Sequence, residues 1–191
     1  VPHPTGYPLL MFLLGPFSGS YFSGAVLCAV FAALAAGCLT VMAGRLLSSS
    51  LQYFSEQIQT TVMISTGLMA GFSAALWLQA VIIEVYALNA LLLSACLLIL
   101  FSKGDGKPIC WRQLSVVALL ASLGAGNHLT IGSLIFLFLA RLIQSFKENQ
   151  AQAKHLPLIL ACGVVPFILL YYLLMARAAT TPPINWGNPS N

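Results

Sequence analysis

Between Glu56 and Lys103 the chain carries a single charged residue, Glu84, within the run WLQAVIIEVYALN from Trp77 to Asn89. A carboxylate at the centre of a lipid-crossing helix costs roughly 2.5–3.5 kcal/mol on insertion scales unless it meets a polar cavity or the membrane surface. Long apolar runs flank it on both sides. With 59% hydrophobic and 6% charged residues and a mean hydropathy of +0.92, the chain falls outside the composition of soluble globular domains. At ~20 residues per crossing, its length holds about six spans, which predicts an all-α, polytopic transmembrane helix bundle forming one domain over 1–191. There is no signal-peptide pattern, since His and Pro precede the first apolar segment. The start at Val1 and the stop at Asn191 both fall in loop-like sequence, so the natural protein is expected to extend on both sides.

Prolines 2, 4, 8 and 16 make residues 1–20 a stiff loop with a short apolar dip at Leu9 to Leu14. Tyr21 to Gly44 is the first span, and Ser48 to Thr60 a polar connector. Thr61 to Gln79 and Val85 to Ser102 are the second and third, with Glu84 at the tight connection between them. Lys103 to Arg112 is a turn-rich basic loop. The apolar run Leu114 to Ile143 is too long for one crossing and is broken by Gly124, Gly126, Asn127 and His128, which predicts two short helices meeting at that break. Leu156 to Ala176 is the last span, with Pro157 in its first turn and a kink expected at Pro166. The five cysteines show no zinc or redox spacing and read as small packing residues.

Two crossings on either side of the 124–128 break put Arg45, Lys103, Lys107, Arg112, Arg141, Lys147 and Lys154 on one side of the membrane and Arg177 on the other. The positive-inside rule makes the crowded side cytoplasmic. The outer face then collects loops near 1–20, 79–85, 124–128 and 177–191. These carry His3, Gln79, Glu84, Tyr86, Asn89, Asn127, His128, Arg177 and the PPINWG stretch. Polar groups from four distant segments thus gather at one surface. Each also has a plainer reading: Glu84 as a solvated loop carboxylate, His128 as part of a capping turn, Arg177 as a snorkelling helix end, and Tyr86, Trp77 and Trp186 as interfacial aromatics. In the functional reading Asn127 is an N-cap, His128 lies in a first helical turn that favours anions, and Arg177 suits a phosphate.

HPTGYPL, WLQAVIIEVYALN, GAGNHLT and INWGNP, in this order, resemble the multi-pass membrane proteins that carry an HPPGYPL signature and are grouped with protein O-mannosyltransferases, of the GT-C class. Thr5 stands where that signature has proline, and Asn188 where many members have aspartate. The resemblance implies a GT-C-like bundle that moves a mannose-like sugar from a polyprenyl-phosphate donor to a protein or glycan acceptor, on the extracytoplasmic or lumenal face. It implies that Glu84 is a catalytic acid of the second outer loop, the primary acid lying before Val1. Within or beside the same motifs on the outer face, His3, Tyr7, Gln79, Tyr86, Asn89, Asn127, His128, Asn185 and Trp186 are expected to contact substrate, and Arg177 is expected to do so on the charge asymmetry alone. A divalent metal is left open as a cofactor, without a metal-ligand set being assigned. Membrane lipid is the other expected partner, and nucleic acid is not expected. The corresponding location is the bacterial cytoplasmic membrane or the endoplasmic reticulum. A membrane transporter, which also uses broken helices and intramembrane carboxylates, and a non-catalytic scaffold are the alternatives.

Overall fold

A computed structural model describes residues 7–17, 20–51, 53–103 and 107–179, without the side chains at 17, 48–51 and 177–178. Among the described residues the fold is all-helical, as the composition predicts: α1 (Pro8–Leu14), α2 (Tyr21–Leu51), α3 (Glu56–Gly71), α4 (Ala74–Ala80), α5 (Val85–Leu100), α6 (Trp111–Ala125), α7 (Ile135–Lys147) and α8 (Leu156–Ala178). A 3-10 turn, Leu129–Leu134, leads into α7.

The helices pack in a row, α3 on α2, α2 on α5, α5 on α6 and α6 on α8. Small side chains let them approach. Cys28 and Ala32 of α2 close on Ala87 of α5. Gly67 of α3 lies directly against the Thr40 hydroxyl of α2, where a methyl group has no room. Without a hydrophobic force between helices in lipid, such close backbone approach is a main source of association. The centre of the row is α5, which buries Val85, Leu88, Leu92, Cys96 and Leu100. The outer faces remain apolar, as with Val26, Val30 and Leu34 on α2 and Leu160, Val164 and Ile168 on α8. Surfaces of this kind suit lipid rather than water.

Three helical segments are long and apolar enough to cross a membrane: Tyr21–Leu47, Leu129–Lys147 and Ala153–Ala176. The pair α3 and α4 makes a fourth if its 60° bend counts as one span. The remaining two apolar segments, α5 and α6, have 16 and 15 residues. At roughly 1.5 Å per residue each is about 24 Å long or slightly less, short of the ~30 Å hydrocarbon core. The six apolar segments read from the sequence are therefore all present, with unequal reach.

Several boundaries differ from the sequence reading. The proline-rich segment holds a helix, α1, because Pro8 occupies a first-turn position where its missing N–H is not needed. Helix α2 runs past Arg45 to Leu51. Arg45 donates to the Leu98 carbonyl of α5 at 3.1 Å, so the cation joins two helices instead of ending one. The connector shortens accordingly, and α3 starts at Glu56 with Ser55 Oγ accepting from Ile58 N–H. The second span is not continuous, since Ser73 caps a new helix, α4, by accepting from Leu76 N–H at 3.3 Å.

Helix α8 continues through Pro166. The neighbouring Phe167 N–H donates to Ser122 Oγ of α6 at 3.0 Å. Ser122 is buried and thus supplies an acceptor where the proline disturbs the helical ladder. Ser122→Ala is expected to cost about 1–3 kcal/mol by leaving that N–H unsatisfied, read as a lower thermal midpoint in detergent. An unchanged midpoint would mean Phe167 N–H finds a second acceptor.

Candidate functional site

The N-terminal end of α5 faces the turn between α6 and the 3-10 segment, and this contact organises the polar residues. Helix α6 ends at Gly126, whose N–H returns to the Ser122 carbonyl. Gly126 is needed for close approach, since a Cβ there would come within 2.6 Å of Leu170 of α8. The next two amides, Asn127 and His128, both donate to the Gly124 carbonyl, at 2.8 and 2.7 Å. The chain then turns into Leu129–Leu134.

Asn127 is not the N-cap. It is 1% exposed, and its Nδ2 donates to the Val85 carbonyl of α5 at 2.9 Å. Its Oδ1 is buried without a hydrogen-bond partner among the described residues. The cap is His128, whose Nδ1 accepts from Thr130 N–H at 3.3 Å and lies 2.9 Å from Thr130 Oγ1. Asn89 Nδ2 donates to the same Thr130 hydroxyl at 3.0 Å.

Tyr7 reaches this turn from α1. Its backbone is left-handed (φ 37°, ψ 61°), which costs an ordinary residue ~1–3 kcal/mol, and more is asked of a residue that precedes proline. Two contacts hold it there. Leu9 N–H, one of the free amides of the first turn of α1, donates to the Gly126 carbonyl at 3.2 Å. The Tyr7 ring stacks on His128, with centroids 6.2 Å apart and planes at 20°. On the other wall Tyr86 meets His128 at 5.5 Å in a tilted arrangement. These rings, with Gly126, Asn127 and Tyr171 of α8, line a cavity of about 210 Å³. An apolar cavity of about 240 Å³ between α6, α7 and α8 shares Ala125 with it.

Of the residues singled out from the sequence, the cavity thus gathers Tyr7, Tyr86, Asn127 and His128, with Asn89 bonded just behind. Glu84 does not line it. It occupies the N-cap position of α5, half-buried, and its side chain makes no capping bond. It immediately precedes Val85, whose carbonyl Asn127 holds, and Tyr86, which forms the wall. Gln79 sits in α4 away from the lining, its Oε1 buried without a partner among the described residues. Arg177 lies in the last turn of α8, its side chain outside the described set. His3, Asn185 and Trp186 lie outside the described residues.

The sequence reading missed Thr130 and Tyr171. A hydroxyl two residues after His128 is a local signal, because Ser and Thr at that spacing bond their neighbours. For Tyr171, the signal is a phenol well inside an apolar span, where its O–H needs a polar destination. Arg141 also departs from expectation. It is buried in α7, stacks over the Phe101 ring at 5.3 Å and donates to Gln144 Oε1 at 2.9 Å. It nevertheless reaches the same C-terminal end of α5 as Arg45, opposite the cavity. No group of three His, Cys, Asp or Glu side chains able to hold a metal occurs among the described residues.

The family model described as Protein O-mannosyl-transferase TMEM260 N-terminal domain matches residues 1–154. That stretch contains α1, the first turn of α5 and the 124–130 turn, three of the contributors to the cavity. No curated protein and no solved structure matches the chain.

Proposed function

This chain belongs to the protein O-mannosyltransferase family of the TMEM260 N-terminal domain, and from that premise we propose that the Tyr7–Tyr86–His128 cavity is the substrate site of a GT-C-type membrane glycosyltransferase. The reaction moves mannose from a polyprenyl-phosphate carrier to a hydroxyl on a protein or glycan acceptor, at the extracytoplasmic or lumenal face of a multi-pass protein. The acceptor oxygen loses its proton to a carboxylate, attacks the anomeric carbon, and the carbon–oxygen bond to phosphate breaks. Such a step needs a base, a group that receives the departing phosphate and a space open to both lipid and water.

The observation that carries this reading is the convergence of four separated segments on one cavity, beside which Asn127 Oδ1 is buried without a hydrogen-bond partner among the described residues. Native interiors rarely leave such an atom without a partner unless a ligand or water supplies one. The aromatic walls offer apolar faces with polar edges, the kind of surface a sugar ring presents in return. The adjoining apolar cavity at Ala125 suits a hydrocarbon tail. Glu84, beside the wall at the start of α5, is assigned as the second-loop acid of the site, orienting the acceptor or the donor sugar. Arg177 is assigned to the phosphate: it follows Tyr171 by six residues in α8, about 9 Å along the axis.

Transfer of labelled mannose from polyprenyl-phosphate mannose to protein, in membranes containing the intact protein, tests the site. Tyr86 is 46% exposed, so Tyr86→Ala is expected to leave membrane yield unchanged while lowering transfer about tenfold, or 1.4 kcal/mol in the barrier. Equal transfer by Tyr86→Ala and wild type would mean that this cavity is not where the sugar is handled.

A further inference from the structure

The hydrogen bonds around His128 determine which ring nitrogen carries its proton. The backbone N–H of Thr130 can only donate, and it points at Nδ1 from 3.3 Å. Nδ1 is therefore the unprotonated, accepting nitrogen, and in a neutral ring the proton resides on Nε2. The 2.9 Å contact between Nδ1 and Thr130 Oγ1 follows the same polarity, with the hydroxyl donating. Having spent its proton there, Thr130 Oγ1 must accept from its other neighbour, and Asn89 Nδ2 donates to it at 3.0 Å. The three side chains form one directed chain, Asn89 to Thr130 to His128, anchored on α5 at one end and on the cavity at the other. Nε2 takes part in no hydrogen bond among the described residues, while the ring itself is held between Tyr7 and Tyr86.

We propose that Thr130 and Asn89 are positioning residues that lock His128 in the Nε2–H tautomer, so that the site offers substrate a hydrogen-bond donor and not an accepting ring nitrogen. The inference rests on the reading of this cavity as the substrate site and adds the role of His128 within it. A neutral donor recognises an oxygen lone pair of the bound substrate without competing with the carboxylate for the acceptor proton.

A double-mutant cycle on kcat/KM for mannose transfer separates this role from packing. The glutamine amide of His128→Gln can place an N–H near the position of Nε2 and has no tautomer to fix. It is expected to retain most of the wild-type activity, whereas His128→Ala falls at least about tenfold below the glutamine variant, a separation of about 1.4 kcal/mol in the barrier. Thr130→Val is expected to lower transfer about tenfold in the wild-type background and by less than about twofold in the His128→Gln background, because coupled residues are not additive. Thr130→Ser, which keeps the hydroxyl, restores activity. Thr130 is exposed, so yield is expected to hold, and Thr130→Ala replaces valine in the cycle if it does not. An equal cost of Thr130→Val in both backgrounds would overturn the tautomer lock, as would a His128→Gln variant no better than His128→Ala. Wild-type transfer by both His128→Gln and His128→Ala would instead remove the cavity itself as the substrate site.

Discussion

Asn127→Asp is expected to destabilise the protein by about 3–5 kcal/mol, the range for a buried charge left without its partner. The amide now donates from Nδ2 to the Val85 carbonyl at 2.9 Å in a position that is 1% exposed. A carboxylate there sets oxygen against oxygen, at a side chain almost wholly withdrawn from solvent. Among the described residues, the contact is also the side-chain bond that ties the 124–128 turn to the backbone of α5. Its loss weakens the joint between the two walls of the cavity, which the Asn89–Thr130 bond and the Tyr86–His128 contact also hold. Asn127→Leu distinguishes fold from function at the same position. Leucine gives up the bond to Val85 but also removes the orphaned Oδ1, so the two effects on stability oppose each other. Near-wild-type melting with transfer reduced about tenfold is the expected result for Asn127→Leu. Melting lowered by several kcal/mol with turnover per folded molecule intact would make Asn127 a structural clamp alone.

The membrane class, the helical architecture and the break at 124–128 were legible because they depend on hydrophobic run length and on glycine, which act locally. The clustering of Tyr7, Tyr86 and His128 was foreshadowed by charge asymmetry, which assigned their loops to one face without bringing any pair into contact. What the sequence hid is tertiary. Helix α1 reads as a loop by its prolines, and only burial of Leu9 and Leu10 and the bond from Leu9 N–H to Gly126 explain why a helix forms. Asn127 looks like a cap because Asn usually is one at such a turn. Its side chain is drawn inward by the Val85 carbonyl, and the capping task passes to His128. Arg141 reads as a loop-side cation, yet α7 runs on to Lys147 and carries it into a packed site against Phe101.

Glu84→Gln is expected to lower mannose transfer by at least about tenfold, and by up to ~10²–10⁴ if the carboxylate takes the acceptor proton directly. The argument turns on what the fold leaves undone. Glu84 stands at the N-cap of α5 but makes no side-chain capping bond, as its side chain is longer than those of the usual capping residues. Its backbone is the part in structural use, the carbonyl accepting from Cys28 Sγ of α2 at 4.0 Å. The side chain makes no hydrogen bond or ion pair among the described residues. An ionisable group in an apolar run that neither caps nor pairs among the described residues is available to a substrate. Glutamine keeps the shape and the backbone contact and removes only the charge and the basicity. Membrane yield and melting are therefore expected to match wild type, in contrast to Asn127→Asp. Glu84→Asp shortens the reach by about one methylene, roughly 1.5 Å, and should fall between the two because a base must come within hydrogen-bond distance of its proton. Unchanged turnover in Glu84→Gln would return this residue to a solvated carboxylate at the start of α5 and leave the proton to a group elsewhere in the intact protein.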